Sequence, residues 1–116
     1  MSAYNNRITI IGNVGQDPKV FDAGGNTIAK FSVACKRSGK SEKIDWIPCA
    51  VWHDLARGVM QTVKKGDQVI VSGSFQVDSK KNDDDSYTTF YNLNADYVGL
   101  AIRGIEKDDN GEAEPF

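Results

Sequence analysis

The stretch DWIPCAVWHDLARGVMQTVKKG, Asp45–Gly66, changes its hydrophobic period halfway along. As far as Trp52 the pattern alternates. Ile47, Cys49 and Val51 share one face of a strand, and Trp46, Pro48, Ala50 and Trp52 share the other. From Asp54 the spacing is helical, with Leu55, Val59 and Val63 at i, i+4 and i+8. Asp54 is the expected N-cap, Lys64 and Lys65 fall in the last turn, and Gly66 is placed to end the helix. Gly58 in the interior lowers helix propensity by about 1 kcal/mol. Ile47, Cys49 and Val51 already make a good buried face, so both tryptophans are surplus to the core.

Outward from this stretch the period is two. In RITIIGNV, Ile8 and Ile10 face one way, and Arg7, Thr9 and Ile11 the other. In TIAKFSVAC, Phe31, Val33 and Cys35 oppose Lys30, Ser32 and Ala34. QVIVSGSFQV sets Val69, Val71, Phe75 and Val77 on one side, and YTTFYNLNA is a further strand. DPKVFDAGGN, KRSGKSEK and DSKKNDDDS read as the turns between them. Pro48 cannot donate to a ladder, which predicts an edge or a bulge at that point. The resulting order is three strands, one helix, two strands. It is the order of an OB-fold, an all-β, five-stranded Greek-key barrel with one helix between strands 3 and 4. A five-stranded SH3-like barrel or an α+β sandwich can be written in the same order.

The chain of 116 residues is one domain long, with 40% hydrophobic and 26% charged residues. Its net charge of −2 hides an asymmetry: residues 106–116, EKDDNGEAEPF, carry −4, which leaves +2 on residues 1–105. A mildly basic folded body over 1–105 followed by a flexible acidic tail over 106–116 is the expectation. No apolar run approaches a membrane span and no basic-then-apolar leader is present, so a cytoplasmic protein is expected. Cys35 and Cys49 read as small buried thiols on strands rather than a disulfide framework.

Enzymatic readings find little to work with. His53 is the single histidine, so no His-pair metal site exists, and Cys35, Cys49 and His53 point apart as a zinc or nucleophile set. GNVGQDP lacks the Lys-Ser/Thr pair of a phosphate loop. The predicted protein is not an enzyme and needs no metal or cofactor. Between Lys30 and Lys43, by contrast, Lys30, Lys36, Arg37, Lys40 and Lys43 face one acid, Glu42, just before Trp46. Cations beside exposed rings suit a single nucleic-acid strand, whose phosphates they neutralise while the rings stack its bases at about 1–3 kcal/mol each.

At this point the chain resembles the bacterial-type single-stranded DNA-binding (SSB) family. NRITIIGNVGQDPKV is similar to that family's opening strand and turn, and GNTIAKFSVA, DWIPCAVW, LARGVMQTVKKGDQVIVSGSF and SYTTFYNLNA follow in register over roughly residues 5–102. EAEPF resembles the family's acidic tip, which ends in Pro-Phe. The resemblance implies sequence-independent binding and protection of single-stranded DNA in replication, recombination and repair, by a homo-oligomer (a tetramer, or alternatively a dimer). It carries base stacking over to Trp46 and Trp52 and a basic first-strand position to Arg7. Phosphate contacts are then expected from Arg7, Lys30, Lys36, Arg37, Lys43 and Lys80. Asp108, Asp109, Glu112, Glu114, Pro115 and Phe116 are expected to dock replication and repair partners. The family commonly has an aromatic where this chain reads KRSGKS and another where Lys80 stands, and its long Gly/Gln/Pro-rich linker is missing here. Two rival readings are a primosome-type OB-fold adaptor that turns the tryptophan face to a protein, and an OB-fold hydrolase. The hydrolase needs carboxylates on strand faces, whereas the acids here lie mostly in turns and the tail.

Overall fold

The computed structural model of the chain describes residues 5–38, 40, 42–102, 106–107 and 113–114. The elements are β1 (Ile8–Val14), β2 (Lys19–Ala23), β3 (Asn26–Lys36), β4 (Ile44–Trp52), α1 (His53–Thr62), β5 (Gln68–Lys81) and β6 (Tyr87–Leu100). A further two-residue ladder pairs β7 (Glu106–Lys107) with β8 (Ala113–Glu114).

The principal sheet runs β1-β5-β6-β4-β3-β2, and β1 closes it by pairing with β3 at Asn13–Ala34 and Val14–Val33. This closure makes the OB-fold barrel: β1 spends its first six paired residues on β5 and its last two on β3. All neighbours are antiparallel except β4 and β6, which run parallel and are paired only at Cys49–Leu93 and Ala50–Asn94. The alternation read from the sequence fills the core. Phe31, Val33, Cys49, Val51, Val69, Val71 and Leu93 are buried together, and the helix adds Ala56 and Val59, with Val63 just after its end.

Four expectations need correction. Asp17–Asn26 is not only a turn, because it contains β2, which forms a hairpin with β3 around Gly24–Gly25. Both glycines have positive φ (59° and 84°), the conformation a tight two-residue hairpin turn demands. The strand is only five residues long and its polar and apolar residues do not alternate cleanly, so periodicity alone does not reveal it. The helix begins at His53 with Trp52 at the N-cap position and no side-chain cap, so Asp54 is not the cap. Asp54 sits instead in the first turn, where it favours the helix dipole and pairs with Arg57 at 2.6 Å. The helix also stops at Thr62, before Lys64 and Lys65, since Val63 leaves helical geometry to bury its side chain. Finally, Val77 does not join Val69 and Val71 inside; it is 56% exposed, because the outer halves of β5 and β6 project as a two-stranded ribbon beyond the barrel.

Candidate nucleic-acid interface

Strand register sets the site in rows across the outer face of β2, β3, β4 and β6. One row is Phe21, Ile28 and Trp52, and the next is Lys19, Lys30, Ala50 and Asn94. Ser32 opposite Pro48 follows, and then Ala34 opposite Trp46. The two tryptophans therefore share a face but stand six residues apart on one strand, about 20 Å at the usual strand rise. Both are exposed, Trp46 at 57% and Trp52 at 40%, and Ile28 is buried between Phe21 and Trp52.

Each ring is held from beneath or beside. The six-membered ring of Trp46 lies against Gly15, where any β-carbon would collide with it. Gly15 is itself pinned to the sheet by donating its N–H to the Ser32 carbonyl at 2.9 Å. Because the Ser32 carbonyl points to that side, the Ser32–Pro48 pair is the kind without a ladder bond, and the proline nitrogen faces away from β3 toward β6. Pro48 thus leaves the ladder with β3 unbroken and marks the point where β4 becomes an edge on its β6 side. Trp52 stands at the strand-to-helix junction, 6.3 Å from the His53 ring.

An open groove of about 790 Å³ runs along this face past Trp46, lined on its far sides by Phe21, Lys19, Lys30, Phe90 and Tyr91. The Lys30 ammonium lies 5.6 Å from the Phe21 ring centre, so one cation and one ring sit together on this face. Asp17 also borders the groove, but its carboxylate is engaged by the backbone N–H of Lys65 at 2.8 Å. A second apolar groove on the barrel-mouth side shares Trp46, Pro48, Phe90 and Tyr91 and adds Ile10, Ile47 and Phe75. Phe75 and Tyr91 stack there with centroids 5.9 Å apart.

The expected cations are placed unevenly. Arg7 donates to both carboxylate oxygens of Asp96 at 2.8 and 2.7 Å, which lowers the Asp96 pKa below its usual range. Asp96 is the extra residue of a β-bulge, where Ser72 pairs with Tyr97 and Gly73 with Ala95. Arg37 holds Asp45 at 3.0–3.2 Å across the base of the β3–β4 hairpin, and that bond raises the Arg37 pKa. Both arginines thus already face a carboxylate. Lys36 lies opposite Ile44 at the end of the same ladder, Lys43 enters it beside Arg37, and Lys80 stands on the ribbon opposite Thr88. Lys30 reaches the groove with Trp46. Of the tail residues, Glu114 belongs to β8, and Asp108, Asp109, Glu112, Pro115 and Phe116 lie outside the described residues.

Sequence reasoning missed Phe21, Lys19, Phe90 and Tyr91. Phe21 was hidden in the supposed turn. For YTTFYNLNA, the signal was its density of rings: Leu93 inward puts Tyr91 on its side and Phe90 on the opposite one, with both exposed because the ribbon has no layer over it.

The sequence pattern of the single-strand binding protein family matches residues 5–101. Single-stranded DNA-binding protein 2 of Streptomyces coelicolor is 31% identical over 105 residues, covering 83% of this chain and 53% of that protein. The single-stranded DNA-binding protein of Bifidobacterium longum is likewise 31% identical over 105 residues, with 83% and 48% covered. That of Clostridium perfringens is 33% identical over 88 residues, with 72% and 59% covered. The chain therefore spans about half the length of the first of these relatives.

Proposed function

Because the chain belongs to the single-strand binding protein family, we propose that it binds and protects single-stranded DNA without sequence preference. The observation that carries this reading is the arrangement of the β2–β3–β4 face. Exposed aromatic rings occupy two rows, Phe21 with Trp52 and, further along, Trp46, and the Lys19–Lys30 pair lies between them. A base offers a π-face to any ring and the connecting phosphates pass over the lysines, so affinity comes without base readout. The relatives' names support the same ligand. Replication, recombination and repair are the settings such coating serves. We assign the acidic tip, ending in Phe116, to docking partner proteins and take the working form to be a homo-oligomer of barrels.

The adaptor reading draws support from the Arg7–Asp96 and Arg37–Asp45 pairs, which subtract two cations from the phosphate-binding set. Titrating intrinsic fluorescence with oligothymidylate separates the two, since the chain's two tryptophans are both exposed and both assigned to stacking. DNA binding predicts strong quenching, and Trp46→Ala or Trp52→Ala weakening binding by about 1–3 kcal/mol each with the far-UV spectrum unchanged. An unquenched protein that fails to retain the oligonucleotide sinks the DNA reading.

A further inference from the structure

β4 and β6 are joined by only two residue pairs, and beyond them the sheet is split. Continuing the parallel register back from Cys49–Leu93 sets Asn92 level with Pro48 and Phe90 level with Trp46. Ala50 and Asn94 share a face, so Trp46 and Phe90, each four residues earlier, share that face too. The two rings therefore flank a slot between unpaired strand edges, with Trp46 57% and Phe90 53% exposed. The slot is bordered from both sides of the sheet, since the grooves on the outer face and at the barrel mouth have Trp46, Pro48, Phe90 and Tyr91 in common.

We propose that this slot is a clamp for one nucleobase, held between Trp46 on β4 and Phe90 on the β5–β6 ribbon. The proposal rests on the single-strand binding reading and deepens it: Phe90 becomes a base-holding residue in a position where the sequence had shown only a missing aromatic nearby. Three features fit a base. The walls are rings, backed by Gly15 behind Trp46 and by the Phe75–Tyr91 stack beside Phe90. Lys19 and Lys30 line the adjoining groove and meet the phosphates on either side of the clamped nucleotide. An incoming polypeptide strand suits the slot less, because Pro48 offers it no N–H at the split edge.

The test uses the full chain carrying Trp52→Phe, which leaves Trp46 as its one tryptophan. Oligothymidylate and an abasic oligonucleotide of equal length are titrated by fluorescence anisotropy, with Trp46 emission followed in parallel. Adding Phe90→Ala should weaken oligothymidylate binding about tenfold, within the range of one lost base–ring stack, and leave abasic binding unchanged. Phe90→Leu, which keeps apolar bulk without a π-face and protects against misfolding of the ribbon, should show the same selective loss. If both variants bind oligothymidylate as the parent does, or lose the abasic strand equally, the clamp is wrong while DNA binding stands. If the parent itself neither binds nor is quenched, the single-strand reading falls and the clamp with it.

Discussion

A β-carbon on residue 15 would run into the ring of Trp46, so this one glycine sets where the tryptophan lies. Gly15→Val should tilt the ring off the face and weaken oligothymidylate binding about tenfold, close to the effect of Trp46→Ala. The melting transition should hardly move, because the position is in a loop and the ring is mostly solvent-exposed. Binding equal to wild type would show that the ring can stack from a second position. At the same scale, burial and then the nearby Cys35 push the Cys49 thiol from its usual 9.0 up to about 12. The folded protein therefore keeps a proton that the unfolded chain releases above pH 9, so stability falls as pH rises from about 9 toward 12. Urea unfolding at pH 8, 9 and 10 should show this decline, and Cys49→Ala should make it shallower. An identical pH dependence in the two proteins would mean that other groups set it. These residue-level placements were partly legible: alternation put Cys49 inside and the tryptophans outside, but it could not reveal that Gly15, thirty-one positions away, is the support of Trp46.

Among the elements, α1 is the least well specified by its own residues. It has no side-chain cap, no basic residue in its last turn, and Gly58 exposed on its outer face with nothing within 4 Å of a built β-carbon. Its retention depends on burying Ala56, Val59 and Val63 against the barrel. Gly58→Ala should therefore stabilise the protein by about 0.5–1 kcal/mol, raising Tm by roughly 3–6 °C, with DNA affinity unaltered. A lower Tm would mean that the helix surface is covered in the working protein. The β5–β6 ribbon is the opposite case. Its ladder continues unbroken from Gly73–Ala95 to Lys81–Tyr87, yet Val77, Tyr87, Phe90 and Tyr91 stay exposed because two strands alone have nothing to bury them against. Rings that are not needed for packing are available for a ligand.

For the whole molecule, the formal charge is a poor guide to phosphate binding. Arg7 and Arg37 are matched to carboxylates, and the net charge of the acidic tail, −4, outweighs the net +2 of residues 1–105. On the proposed reading, the cations that count are Lys19 and Lys30, which line the groove beside the rings. Replacing Lys19 and Lys30 together by Ala should reduce the slope of log affinity against log salt by about 1.4, at roughly 0.7 per lost contact on a single strand. Arg37→Ala should change the slope by well under the roughly 0.7 of a single contact, since Asp45 already occupies that guanidinium. A slope loss of about 0.7 from Arg37→Ala, a full single contact, would show that the ion pair opens freely on binding.

The main strands and the helix of the barrel were legible in the sequence, although their order alone left an SH3-like barrel and an α+β sandwich open. Strand alternation across Ile8–Val14, Asn26–Lys36, Ile44–Trp52 and Gln68–Val71, one helical stretch between them, and turn residues at the joints leave few ways to close a core. These are local properties, with periods of two and 3.6 written into adjacent residues. The composition of the candidate site was settled only by tertiary structure. Phe21 reaches the tryptophan face through a hairpin with β3, and Phe90 reaches it through a parallel pairing of β4 with β6 that breaks off at Pro48. Whether Arg7 and Arg37 present their charge outward depended on where Asp96 and Asp45 come to lie, and the first of those partners is 89 residues away. Register between distant strands decides which side chains become neighbours, and no local period encodes it.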